Sequence, residues 1–236
     1  MKTYIKTLAI LSVLALATSV QAQVIGSWLG SDSDGWIDWS GGQNPVLSYS
    51  KYSLVSGVVP GYSQSLQLQE SGWNQSLSIK LENNSPDQAY FFADQLLSVT
   101  WSIPAGTGGG YEQLWGLYIN GGGGYGFTLQ PASEVSITGS GETSGTGSEL
   151  DFWSGSPMQT QTVTWNYSGI LAALEADGNG PSSGYIELIF TSNSGGGAPN
   201  TFYFDQVTLS QVPEPTSLAL IGLGAASLFW LRRKNS

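Results

Sequence analysis

Polar and apolar residues alternate in short runs along most of the chain. Ser65-Leu66-Gln67-Leu68-Gln69 alternates cleanly, as does Ser76-Leu77-Ser78-Ile79-Lys80-Leu81, and Ser98-Val99-Thr100-Trp101-Ser102-Ile103 repeats the pattern. The runs Leu114 to Ile119, Tyr125 to Leu129, Glu134 to Thr138, Thr160 to Tyr167, Tyr185 to Thr191 and Thr201 to Leu209 follow the same rule. A period of two buries one face of a strand and solvates the other. Turn clusters separate the runs: Gly106 to Gly110, Gly121 to Gly124, Gly139 to Gly147 and Ser194 to Pro199. Many short strands with glycine-rich turns predict an all-β, antiparallel sandwich of the jelly-roll kind. One short helix is expected over Ile170 to Ala176, with Ser168 as its N-cap and Gly178 as its stop. The run Gly139 to Ser148 has four glycines and no large apolar side chain, so it reads as a mobile loop.

The two ends break this pattern. Lys2 and Lys6 precede an apolar run from Leu8 to Ala17, and Val20-Gln21-Ala22 has the small-residue spacing of a cleavage site. Residues 1–22 read as a secretory signal peptide, cut between Ala22 and Gln23. At the other end, Val212-Pro213-Glu214-Pro215 leads into an apolar run from Leu218 to Leu231 and then Arg232-Arg233-Lys234. Pro213 and Pro215 hold the backbone extended around Glu214, in a form a processing enzyme can grip. The apolar run has 14 residues, short for a membrane span, which needs about 20. The three cations fit the cytoplasmic side of such a span. Residues 23–211 are the sandwich ectodomain, and residues 212–236 are a sorting signal.

That tail resembles the PEP-CTERM signal of Gram-negative bacteria, which exosortases recognise. The resemblance implies an exported protein with an exosortase-type partner. It implies transient retention at the inner membrane through the C-terminal segment, then display at the cell surface or in the extracellular matrix of a biofilm. Pro213, Glu214, Pro215, Arg232, Arg233 and Lys234 are the residues that carry it.

Composition narrows the chemistry of the ectodomain. Between Gln23 and Gln211 two cations, Lys51 and Lys80, face sixteen acids, a net charge near −14. Such a surface repels nucleic acid. The chain has no cysteine and no histidine, which removes disulfides, thiolate metal sites and the common nucleophile–histidine pairs. Catalysis would have to use carboxylates alone. Glu70, Glu112 and Glu187 lie on or beside strands, nothing in the sequence pairs them, and Glu187 reads as facing solvent. No catalytic residue is assigned, and the chain is expected not to be an enzyme.

Tryptophan is the other outlier. Trp101, Trp115 and Trp165 sit among apolar partners inside alternating runs and read as core. Trp36, after Gly35, reads as a plug at the end of the sandwich. Trp39, Trp73 and Trp153 stand beside Gly, Asp or Asn in loops and are the candidate carbohydrate-binding residues, since a sugar's C–H face stacks on an indole.

Several landmarks, namely Ser31-Asp32-Ser33-Asp34-Gly35-Trp36, Gly72-Trp73-Asn74-Gln75, Thr162-Val163-Thr164-Trp165 and Thr201 to Leu209, occur in an order that resembles the galactose-binding-like jelly rolls and related carbohydrate-binding modules. Gln206 stands where that pattern has Asn after Asp205. The resemblance implies polysaccharide binding. It also implies one structural calcium, with Asp205 as the closing-strand acid and Asp32 or Asp34 as the opening one. A capped Asp-x-Asp-Gly turn explains Asp32 and Asp34 equally well. The function expected is that of a non-catalytic exported protein binding extracellular polysaccharide. The alternatives are a structural or adhesive matrix protein without a sugar site, and a carboxylate-dependent glycoside hydrolase or lyase.

Overall fold

The computed structural model describes residues 22–70, 72–106, 110–122, 126–151, 155–178, 184–195 and 200–212. Ala22–Ser210 is one compact unit. In chain order its strands are β1 Gln23–Gly26, β2 Ile37–Asp38, β3 Asn44–Pro45, β4 Tyr52–Ser56, β5 Gln64–Glu70, β6 Gln75–Leu81, β7 Leu96–Ile103, β8 Tyr111–Gly121, β9 Gly126–Leu129, β10 Val135–Gly139, β11 Glu142–Ser144, β12 Gly147–Asp151, β13 Gln159–Asn166, β14 Ile186–Gly195 and β15 Asn200–Ser210. Two short helices interrupt them, α1 at Pro86–Ala93 and α2 at Ser168–Ala176.

The strands form two antiparallel sheets, as the alternation predicts. Sheet A runs β10-β13-β7-β15-β5-β4, with β1 also on β15. Sheet B runs β11-β12-β8-β14-β6-β2-β3, with β9 also on β8. Leu66 and Leu68, Val99 and Trp101, Leu117 and Ile119, and Leu188 and Phe190 turn inward and are buried. Trp36 stacks on Phe190 at 5.4 Å, and Trp165 lies 5.7 Å from the same ring. Each buried indole N–H of Trp36, Trp101 and Trp165 finds an acceptor: Ile25 O, Gln161 Oε1 and Thr146 O. Trp101, Trp165 and the plug Trp36 are therefore core, as read. Trp115 is not. It is half-buried, and its ring lies beside Gly145 in the β11–β12 turn.

Helix α1 was not expected. Ser85 accepts from Gln88 N at 3.1 Å, Pro86 opens the first turn, and Gln88 Oε1 accepts from Asn84 N at 3.0 Å. This reciprocal capping outweighs the strand preference of Tyr90-Phe91-Phe92. Helix α2 is where it was expected, but Ser168 is its first residue and not its cap. Tyr167 takes the cap position without a side-chain bond, and Asn166 Oδ1 accepts from Ser168 N instead. Gly178, at φ 78°, closes the helix.

The run Gly139 to Ser148 is not a free loop. Glu142–Ser144 pairs with Gly147–Asp151, and β12 pairs in turn with β8. Its glycines permit contact. A Cβ on Gly147 would stand 1.8 Å from Leu114 O and 2.3 Å from Trp115 O. The missing side chain lets one backbone lie against another. Gly147→Ala is expected to cost about 3 kcal/mol, the upper range for an inserted methyl. A urea-unfolding midpoint equal to wild type would refute this.

Candidate functional site

Strand β14 presents its second face to the outside of sheet B. Glu187, Ile189 and Thr191 lie there, alternating with the core residues Leu188 and Phe190. Register places Lys80 and Asn120 on either side of Glu187, and Ser78 and Tyr118 on either side of Ile189. Glu187 does not face open solvent, as the sequence suggested. It is 3% exposed, Ser78 Oγ donates to its Oε1 at 3.2 Å, and Asn120 Nδ2 donates to its Oε2 at 3.3 Å. Lys80 Nζ sits 4.9 Å over the ring of Tyr185.

Two aromatic rings arch over this face. Trp39 follows β2 and is tied by its N–H to Ser76 O. Phe127 lies on β9, opposite Asn120. Three strands, β6, β14 and β8, separate β2 from β9. At about 4.8 Å per strand that is roughly 19 Å along the sheet. Yet the rings of Trp39 and Phe127 are 5.6 Å apart, edge to face at 73°. Curvature of the sheet and the reach of the two side chains together close that span. Trp39 is half-buried and Phe127 is 54% exposed. Aromatic rings, the amide of Asn120 and the ammonium of Lys80 thus share one surface, with the Glu187 carboxylate and Ser78 hydroxyl buried beneath it. That mixture grips a sugar's C–H face and its hydroxyls together.

Of the other predicted stacking residues, Trp73 is elsewhere. Trp73 projects from the β5–β6 turn and is 62% exposed. Trp153 lies outside the described residues, as do the sorting-signal residues 213–236 and most of the leader. Ala22 is exposed, and Gln23 begins β1 opposite Leu209. Among the described residues no helix is long and apolar enough to cross a membrane. Phe127 was not among the sequence candidates, because alternation shows that a ring faces outward but not that a distant ring meets it.

The three acids implied for calcium are placed apart in role. Asp34 Oδ2 accepts from Ser27 N at 2.9 Å and Trp28 N at 2.7 Å, and Asp32 Oδ1 accepts from Asp34 N at 3.0 Å. This is the capped turn. Asp205 sits in a bulge of β15, where Ser65 and Ser102 donate to its two oxygens at 2.7 and 2.5 Å. It thereby ties β5, β15 and β7 together. Burial pushes its carboxyl up to about 6, against the pull of the two serines. A cleft of about 520 Å³ opens above it, lined by Leu29, Pro60, Tyr62, Gln64 and Gln206 among others. Among the described residues no three acidic side chains gather into a metal-ligating group. Asp205 has both oxygens engaged by serine hydroxyls, while Asp32 Oδ1 and Asp34 Oδ2 hold the turn, so the three acids do not gather as ligands of one ion.

Comparison with solved structures gives distant likenesses. A non-crystalline cellulose-specific carbohydrate-binding module, CBM28, matches 80% of this chain and 94% of its own at 11% identity, with a TM-score of 0.44. The CBM22-1 xylan-binding domain of Paenibacillus barcinonensis Xyn10C matches 83% and 100% at 11% identity and a TM-score of 0.41. The CBM22-1–GH10 modules of Clostridium thermocellum xylanase 10B, solved with xylohexaose, match 81% of this chain at 10% identity and a TM-score of 0.42. There the match spans only 28% of the longer xylanase chain. No curated protein matches in sequence. Residues 211–234 match the PEP-CTERM protein-sorting motif, so the tail read from the sequence is the sorting motif of an exported protein.

Proposed function

We propose that this is an exported, non-catalytic protein that binds a neutral polysaccharide on the outer face of sheet B. The observation that carries the reading is the contact of Trp39 with Phe127 beside the outer face that holds Asn120 and Lys80. The rings supply stacking surface, the half-buried Asn120 and Lys80 supply polar partners for hydroxyls, and the buried Glu187 holds Asn120 in place by accepting from it. The ligand is neutral because the ectodomain carries net charge near −14 and only two lysines. A polyanion would be repelled at long range. A non-catalytic role is favoured because Glu70, Glu112 and Glu187 are each at most 3% exposed and cannot reach a glycosidic bond in this state. The sorting motif supports an exosortase-type partner, with passage through the inner membrane and display at the cell surface.

Retention of the purified chain on insoluble and arrayed neutral polysaccharides tests this. Trp39→Ala and Phe127→Ala are each expected to weaken binding about tenfold, equivalent to about 1.4 kcal/mol. Tyr62→Ala, in the cleft over Asp205, is expected to leave it unchanged. No retention of wild type, or equal retention of the Trp39 and Phe127 variants, would move the weight to a matrix protein without a sugar site.

A further inference from the structure

Glu70 and Glu112 were not pairable from sequence, yet the fold brings them to one end of the sandwich interior. Glu70 ends β5 on the inward face that carries Leu66 and Leu68. Glu112 begins β8 on the inward face that carries Leu114. Strand β14 joins them. Alternation carries the inward face of β14 on from Leu188 and Phe190 to Ser192 and Ser194, and a bulge at Trp115 in β8 keeps Glu112 and Leu114 on the same side, so Ser192 Oγ reaches across to the other sheet and donates to Glu70 Oε2 at 2.7 Å. Two residues on, Ser194 Oγ donates to Glu112 Oε1 at 2.9 Å, and Asn200 Nδ2 donates to that hydroxyl at 2.6 Å.

Both carboxyls have one oxygen left over. Glu70 is 1% exposed and Glu112 is 0% exposed. Glu70 Oε1 and Glu112 Oε2 have no hydrogen-bond partner among the described residues. The charge of Lys51 reaches Glu70, but its ammonium is paired 2.6 Å from Asp38 and also donates to Gln75. Two desolvated carboxylates of like charge are costly unless a proton or a cation joins them. The side chains bonded to them, Ser192 and Ser194, are hydroxyls, and the chain has no thiol or imidazole to offer. That favours a hard, oxygen-seeking cation over a soft one.

We propose that Glu70 and Glu112 are the charged ligands of a calcium-class divalent cation held between the two sheets, with hydroxyl, backbone and water oxygens completing its shell. The site differs from the one implied for Asp205, whose oxygens are engaged. It fastens the end of β5, the end of β14 and the start of β8 to one another. Sugar binding on the outer face of sheet B is a separate matter, and either reading can fail alone.

The test is calorimetric titration of calcium into the chelator-stripped full chain, followed by thermal melting. Saturable binding is expected, with a melting temperature raised by roughly 5–10 °C at about a hundred times the Kd. Glu70→Gln and Glu112→Gln are each expected to remove that rise, and Asp205→Asn to keep it. Because each Gln removes a buried charge, both variants are expected to melt in chelator at pH 8 no lower than wild type, which shows that they fold. No saturable binding, or a calcium response that survives both Gln variants, would overturn the site.

Discussion

In chelator, the folded chain is expected to be most stable near pH 4 to 5 and to weaken steadily as the pH rises to about 8, which is opposite to the usual behaviour of carboxylates. Burial raises the Glu70 carboxyl from its ordinary 4.5 to about 8, with the Ser192 bond opposing and the neighbouring Glu112 charge adding. Burial likewise raises Glu112 to about 7, opposed by Ser194 and Asn200, and Asp205 to about 6. The sign follows from proton counts. Between the ordinary value and the raised one, the folded chain holds a proton that the unfolded chain has released. Stability therefore falls as pH rises through that window, and the full contribution is present only below the ordinary value. Each group removes up to about 1.4 kcal/mol per pH unit inside its window. The three windows overlap from about pH 4.5 to 6 and close in turn by about 8. Even at half that slope the loss is several kcal/mol, a large share of the 5–15 kcal/mol that holds a domain together. Thermal melts from pH 4.5 to 8.5 check this, and Glu70→Gln or Glu112→Gln should flatten the curve. A melting temperature that climbs from pH 4.5 to 7 would sink it.

The strands were legible because their signal is local. A strand half in the core must alternate, so Leu66, Leu68, Leu77 and Ile79 identify both the strand and its buried face. The sorting tail was legible for a similar reason, since its prolines, apolar run and cations are contiguous. Helix α1 had a readable signal in Ser85-Pro86-Asp87-Gln88, a capping pattern that the aromatic run behind it obscured. The Gly139–Ser148 hairpin misled because glycine permits two opposite things. It loosens a free chain, and it also admits a second backbone at contact distance, as Gly147 does beneath Leu114. The site was the least legible part. Trp39 and Phe127 are 88 residues apart, and Glu70 and Glu112 are 42 apart. Both pairings depend on strand order, and the inward placement of Glu112 also depends on a bulge at Trp115 in β8; alternation encodes neither.

The second large effect lies on the same strand. Phe190→Ala is expected to cost about 3–5 kcal/mol and lower the melting temperature by roughly 10 °C. Phe190 is 1% exposed, and its ring is the common neighbour of Trp36 and Trp165, both fully buried. Truncation removes the partner of two indoles at once, and neither can swing to fill the space while its N–H stays bonded to Ile25 O or Thr146 O. The resulting void costs lost contacts on both sides. Phe190→Leu, which keeps most of the volume, should cost less than half as much. The consequence reaches the outer face as well. Trp36 anchors the segment that runs through Ile37–Asp38, paired with β6, to Trp39. Loosening Trp36 therefore frees one side of the arch, and glycan affinity should fall at temperatures where the variant is still folded. A variant that melts lower yet binds as tightly as wild type would show that the arch is held by β6 alone. A melting temperature within about 2 °C of wild type would mean that Phe190 does not hold the two indoles in place.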